Sequence, residues 1–173
     1  MIQDSGKRRE FVGGAVRDIQ DGKGRCDLLP LVDVGEFMQD DILGNIGRFI
    51  EQGDPRCLIY ALCEFANLNY DLNLPNATPN FAHMILDVAV HYEEGCNKYG
   101  ERNWEKGIPV HCYIDSGVRH YLKFLRGDKD ERHDRAFVWN ILGALWTMRN
   151  KPDLVDIGVY YGEDDDPQEE GEE

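Results

Sequence analysis

Apolar residues recur along this chain at spacings of three and four, the period of helices that bury one face. From Val34 to Gln52 the stripe is Phe37, Met38, Ile42, Leu43, Ile46, Phe49 and Ile50, with Gly44 and Gly47 weakening the helix it predicts. Gly53-Asp54-Pro55 ends that stretch and starts the next. Asp54 has the short acceptor of an N-cap, Pro55 suits a first helical position, and Leu58, Ala61, Leu62, Phe65 and Leu68 follow at helical spacing. The Asn-rich stretch from Asn69 to Asn80 reads as a connection. A third helix is predicted from about Phe81 to Tyr99, burying Met84, Ile85, Val88, Ala89, Tyr92, Cys96 and Tyr99. Asp87, His91, Glu94 and Lys98 form an adjacent stripe, and Gly100 stops the helix. A fourth, about Cys112 to Arg126, buries Ile114, Val118, Tyr121, Leu122 and Leu125. A fifth, about Asp130 to Met148, is apolar nearly all round after Ala136, which places it at the centre of a bundle.

Residues 1–27 are rich in Gly and charge and show no sustained period, and Val155 to Tyr161 is the only alternating β-branched run. The expected fold is therefore all-α: a helical bundle with a loop-rich N-terminal arm and a disordered acidic C-terminal tail. Residues 1–161 would form one helical domain and 162–173 the tail. The apolar stretches at 37–50 and 58–68 exceed what one bundle core needs, which predicts a homo-oligomer.

The net charge of −14 changes this picture little, because the tail holds eight acids and no base. Without it the charge is about −6, ordinary for a domain of this kind. The full charge looks forbidding for a nucleic-acid binder, but most of it belongs to the tail; no nucleic-acid polymer is expected as a partner. The five cysteines show no Cys-x-x-Cys spacing, and no apolar run is long enough for a membrane span or a signal peptide. Reduced thiols and a cytoplasmic protein are expected.

The candidate chemistry lies on the last three helices. Asn140 falls inside the apolar stripe Ala136, Phe137, Asn140, Ile141, Ala144, with His133 two turns earlier on the same face, so both point into one inter-helix cleft. Glu131 and Asp134 place two carboxylates on one helical face, and Glu94 on a facing helix would complete a set of oxygen ligands for Mg²⁺. His133-Asp134 is also the dipeptide of metal-dependent HD phosphohydrolases, a weaker reading that would draw on His91, His111 or His120 and on Asp153 or Asp156. Lys98, Arg102, Lys106, Arg119 and Lys123 surround the cleft in sequence, and Lys23 and Arg25 of the arm would close over it. A triphosphate needs several such donors, and Tyr99 and Trp104 offer faces for a base. No Walker loop, dinucleotide fingerprint or nucleophile elbow occurs.

The strings Gly14-Ala-Val-Arg-Asp18, Gly22-Lys-Gly-Arg-Cys-Asp-Leu-Leu-Pro30, His91-Tyr-Glu-Glu-Gly95, Lys98-Tyr-Gly-Glu-Arg-Asn-Trp-Glu-Lys-Gly107, Asp115-Ser-Gly-Val-Arg-His120 and His133 through Asn140 occur in this order. Together they resemble a phage and prophage domain family, the dATP/dGTP diphosphohydrolase N-terminal domain, over most of residues 13–147; the resemblance implies that 1–161 is a single nucleotide-binding domain in which 31–80 is a helical insertion between the matching blocks. The resemblance implies cleavage of a purine deoxynucleoside triphosphate to monophosphate and pyrophosphate. That activity is similar to the all-α MazG-like pyrophosphohydrolases, which hold Mg²⁺ with Glu-x-x-Glu and Glu-x-x-Asp. Glu131 and Asp134 match the second element, whereas Glu94 is followed three residues later by Asn97, so the first is broken: either His91, His120 and His133 substitute for the missing carboxylates, or the fold binds nucleotides without hydrolysing them.

The sequence thus points to a Mg²⁺-dependent pyrophosphohydrolase. Glu94, Glu131 and Asp134 would hold metal; His133 or His120 would orient or deprotonate water beside Asn140 in the cleft. Lys98, Arg102, Asn103, Arg119, Lys23 and Arg25 would hold substrate, with Trp104 against its base. The alternative is a non-catalytic phage protein that sequesters a nucleotide signal of host defence in the same cleft. If phage-encoded, either protein would act in the host cytoplasm.

Overall fold

The computed structural model describes residues 6–19, 22–69 and 81–157. Among these the chain forms a short hairpin, β1 Arg8–Glu10 and β2 Val16–Asp18, and then α1 Leu31–Met38, α2 Asp41–Gln52, α3 Pro55–Asn69, α4 Phe81–Tyr99, α5 Val110–Arg126 and α6 His133–Asn150. This is the expected all-α bundle. As its all-round apolar surface requires, α6 is the axis, and α3, α4 and α5 all pack on it. Phe65, Tyr121 and Phe137 meet at the centre, fully buried, with ring centroids 4.7 to 6.0 Å apart, tying α3, α5 and α6 together.

The single helix expected over 34–52 is two. Gln39 is left-handed at φ 53° and ends α1, and Asp40 is extended, its side chain accepting from the Leu43 amide at 3.0 Å as the N-cap of α2. The break turns Phe37 outward, 88% exposed, while Ile42, Leu43, Ile46 and Phe49 are fully buried. With Leu58, Ala61 and Phe65 also buried, the apolar surplus on which a homo-oligomer was expected is largely absorbed within one chain. Ile59, Tyr60 and Leu68 remain exposed.

Asp54 and Pro55 start α3 as expected, and α4 has its expected ends. The inward face of α4 is rotated, however. Met84, Val88 and His91 are buried, whereas Ile85 and Ala89 face out. Leu125 of α5 is also exposed. The upper half of α4 borders a polar cleft, so the count of apolar side chains does not choose its inner face.

The arm is organised by contacts rather than by its own period. In the hairpin Arg8 faces Asp18, Arg9 faces Arg17 and Glu10 faces Val16. Its turn packs on the 3-10 turn Asn103–Lys106: a Cβ on Gly13 would lie 2.0 Å from the Lys106 carbonyl oxygen. Asn103 clamps the second strand, accepting from Val16 N and donating to Val16 O, both at 2.9 Å. The alternating run over 155–161 forms no strand in its described part, residues 155–157; the rest of it, the 70–80 connection and the acidic tail lie outside the described residues. Among those described, no helix is long and apolar enough to cross a membrane, and all five cysteines are free thiols.

The segment after α6 is tied back by Asp156, which accepts from the His111 amide at 2.9 Å and bonds the His111 ring. That bond first, and then the Cys112 sulfur, push the His111 imidazole up to about 10. An imidazolium favoured by the fold contributes stability that is complete below the unfolded value, about 6.5, and is lost as pH rises through about 10. The melting temperature should therefore fall between pH 7 and 10, and His111→Asn should flatten that slope. Parallel wild-type and variant curves across this window would show that the pair contributes nothing.

Candidate functional site

The hairpin closes one side of a cleft whose other walls come from α4, α5 and α6, with a cavity volume of ≈ 210 Å³. A second depression, around Asp87 and Asp134, has ≈ 0 Å³ and no room for a ligand. No described residue from 24 to 90 lines it, and the helices over 31–69 serve it only as core.

Arg9 and Arg17 are directly opposed across the hairpin and share one face, a pairing of like charges that costs stability unless something neutralises it. Arg9 donates to the Cys112 sulfur at 2.8 Å and stacks on Phe11, and its Nε is buried without a partner. Arg17 donates to the Cys112 carbonyl at 3.1 Å and to Asn140 Oδ1 at 2.8 Å, over the rings of Tyr113 and Trp139. Burial lowers the Arg17 pKa, yet a guanidinium stays charged in a protein. Lys23 stands at the mouth, its pKa lowered by burial against the pull of Asp18, and then further by Arg119 and Arg17. None of these three cations is ion-paired with a described carboxylate, and all three line the cleft.

The other cations are engaged. Lys98 pairs with Asp18 at 2.9 Å, and Tyr99 donates to the same carboxylate at 3.0 Å. Arg119 pairs with Asp115 and donates to the carbonyls of Lys23 and Gly24 at 3.1 and 2.8 Å, so it fixes the arm loop at the rim. Arg25 pairs with Asp27 and Arg102 with Glu105, both outside the lining. Of the residues expected to hold substrate, Lys23, Asn103, Trp104 and Arg119 line the cleft; Lys98, Arg102 and Arg25 do not. The amide of Asn103 is spent on Val16, and Trp104 lies edge-on to Tyr92 and Trp146. Arg9 and Arg17 went unrecognised in the sequence. Gly13-Gly14 midway between them is a hairpin signal, but three-residue strands are too short for a period of two to show.

At the inner end, Asn140 donates to Ala136 O at 2.7 Å while accepting from Arg17, so this amide positions the guanidinium. The Nδ1 atoms of His120 and His133 are 3.0 Å apart, and Glu131 Oε1 lies 3.3 Å from the first and 3.6 Å from the second. His120 and Glu131 line the cleft, with His133 buried behind them. Burial, followed by the neighbouring His133, holds His120 well below its usual pKa, so it is neutral. The oxygen set expected for Mg²⁺ does not assemble. Asp134 is turned away and paired with Arg132 at 2.5 Å, Glu94 is outside the lining, and neither joins Glu131 in a group of potential ligands among the described residues. The same orientation of Asp134 breaks the HD pairing, and Asp156 is bound to His111.

A family model described as dATP/dGTP diphosphohydrolase, N-terminal, matches residues 66–157. No curated protein and no solved structure matches the chain. The matched segment holds α4, α5 and α6, and with them every lining residue except those of the hairpin and arm loop.

Proposed function

Because the chain belongs to the dATP/dGTP diphosphohydrolase N-terminal family, whose name points to hydrolysis of purine deoxynucleotides, we propose that the cleft binds a deoxynucleoside triphosphate and cleaves it to monophosphate and pyrophosphate. The observation that carries this reading is the opposed pair Arg9 and Arg17. Two arginines directly opposed across the hairpin in an acidic chain, one with a buried donor unused, are arranged for an anion of high charge. With Lys23 they would take the phosphates, and the aromatic wall of Tyr92, Trp104 and Trp139 would receive the base.

Phosphoryl transfer asks a protein mainly to position its substrate and stabilise charge, which the arginines supply. A water oxygen would attack the α-phosphorus, the bond to the bridging oxygen would break, and pyrophosphate would leave with the bonding electrons. Asp18 and Asp115 are engaged with Lys98 and Arg119, so the corner of His120 and Glu131 is where the water would be oriented and its proton accepted.

The carboxylates that fail to assemble favour a second reading, in which the same cleft holds a nucleotide without cleaving it. Incubating the protein with dATP, dGTP and their ribonucleotide counterparts separates the two. Monophosphate and pyrophosphate in equal amounts are expected from the purine deoxynucleotides. Intact ligand released on denaturation after long incubation would favour the holding role, and absence of both products and bound ligand would remove the nucleotide assignment.

A further inference from the structure

We infer that His120, Glu131 and His133 form a site for one divalent transition-metal ion of the zinc and cobalt class, set in the wall of the cleft. Their three ligand atoms make a triangle with edges of 3.0, 3.3 and 3.6 Å. Zinc bonds to imidazole and carboxylate are about 2.0 to 2.2 Å long, which puts neighbouring ligands roughly 3.0 to 3.4 Å apart in octahedral or tetrahedral geometry. One point therefore lies within bonding reach of all three atoms.

The surroundings match this use. His133 Nε2 is 2.7 Å from Asp130 Oδ1, and a carboxylate can only accept from it, so Nε2 carries a proton and Nδ1, which faces His120 and Glu131, is the nitrogen that would ligate. Asp130 is itself fixed by Lys123 at 2.9 Å. A carboxylate that orients the far nitrogen of a ligating histidine is the usual support of such sites, and it places Asp130 behind the site rather than in it. Two imidazoles and one carboxylate are poor ligands for Mg²⁺, which prefers six oxygens, and good ones for zinc, cobalt or manganese. His120 and Glu131 line the same cleft as Arg9 and Arg17, so an ion held by them would be reached from it. The metal assignment stands without the proposed activity; only the nearness of phosphate to the ion rests on that reading.

The test uses the full chain freed of metal with EDTA, titrated separately with Co²⁺, Zn²⁺ and Mg²⁺ by calorimetry, with the Co²⁺ absorption spectrum recorded. Expected are one Co²⁺ or Zn²⁺ per chain, Mg²⁺ at least a hundredfold weaker, and visible cobalt bands of nitrogen and oxygen ligation. Glu131→Gln and His120→Asn should each weaken Co²⁺ at least a hundredfold, and Asp130→Asn about tenfold or more. The metal-free melting temperature reports folding, and the more accessible His120 keeps the test open if a variant at buried His133 fails to fold. Wild-type protein that binds no Co²⁺, equal affinity in wild type and Glu131→Gln, or a thiolate-to-cobalt band placing the ion on Cys112 would each overturn the site. Nucleotide affinity measured in EDTA reads the arginine pair separately. A chain that takes Co²⁺ through these residues but no nucleotide keeps the metal site and loses the proposed function, and the converse result loses the site alone.

Discussion

Replacing Arg17 with Met is expected to lower affinity for a purine deoxynucleoside triphosphate at least a hundredfold while moving the melting temperature by no more than a few degrees. Met keeps an unbranched stem against Tyr113 and Trp139 but brings no charge. Each charge-assisted hydrogen bond to phosphate contributes about 1.5 to 3 kcal/mol, and two of them account for a hundredfold or more. Stability changes little because two costs oppose each other. Asn140 Oδ1 loses its donor, about 1 to 3 kcal/mol for a buried acceptor, while the repulsion between Arg17 and Arg9 and the burial of an unneutralised guanidinium disappear. Isothermal titration and thermal melting on the same preparation check both halves. If Arg17 only braces Cys112 and Asn140, the melting temperature will drop steeply and the folded fraction will bind nucleotide as before.

The bundle was legible in the sequence where one physical signal acted alone. Pro55 and Asp54 mark a helix start in any context, and Gly100, at φ 93°, stops α4 because few other residues take that conformation without strain. The site was legible less often, because its residues satisfy two demands at once. Glu131, His120 and His133 were expected at the cleft and lie together there, but Glu94 and Asp134 were grouped with Glu131 by helical spacing, which fixes a face and not a partner. Asp134 follows Arg132 closely enough for a local ion pair to turn it away. Arg9 and Arg17 acquire meaning only when Asn103 and Gly13 seat the hairpin against the bundle, a contact across some ninety residues that no local pattern encodes.

Gly44 and Gly47 show the same divergence, and they give the largest expected change in stability. By propensity both weaken α2, and alanine at either should help by up to about 1 kcal/mol. Their surroundings differ. A Cβ at Gly44 would meet only the guanidinium end of Arg48, at 3.7 and 3.9 Å, whereas one at Gly47 would come within 2.5 Å of Val32 N and 2.8 Å of the Leu31 carbonyl carbon. The latter atoms are backbone and cannot step aside unless α1 as a whole is displaced from α2. Overpacking of that kind costs about 1 to 3 kcal/mol or more, which outweighs the gain in propensity. At a net cost of about 2 kcal/mol, Gly47→Ala should therefore lower the melting temperature by about 4 to 8 °C, at roughly 2 to 4 °C per kcal/mol for a chain of this size, while Gly44→Ala leaves it unchanged or raises it. Since no residue of α1 or α2 lines the cleft, nucleotide affinity well below the transition should be parental in both variants. A Gly47→Ala protein as stable as its parent would mean that α1 does not lie this close to α2, and that the glycine is there for some reason other than contact.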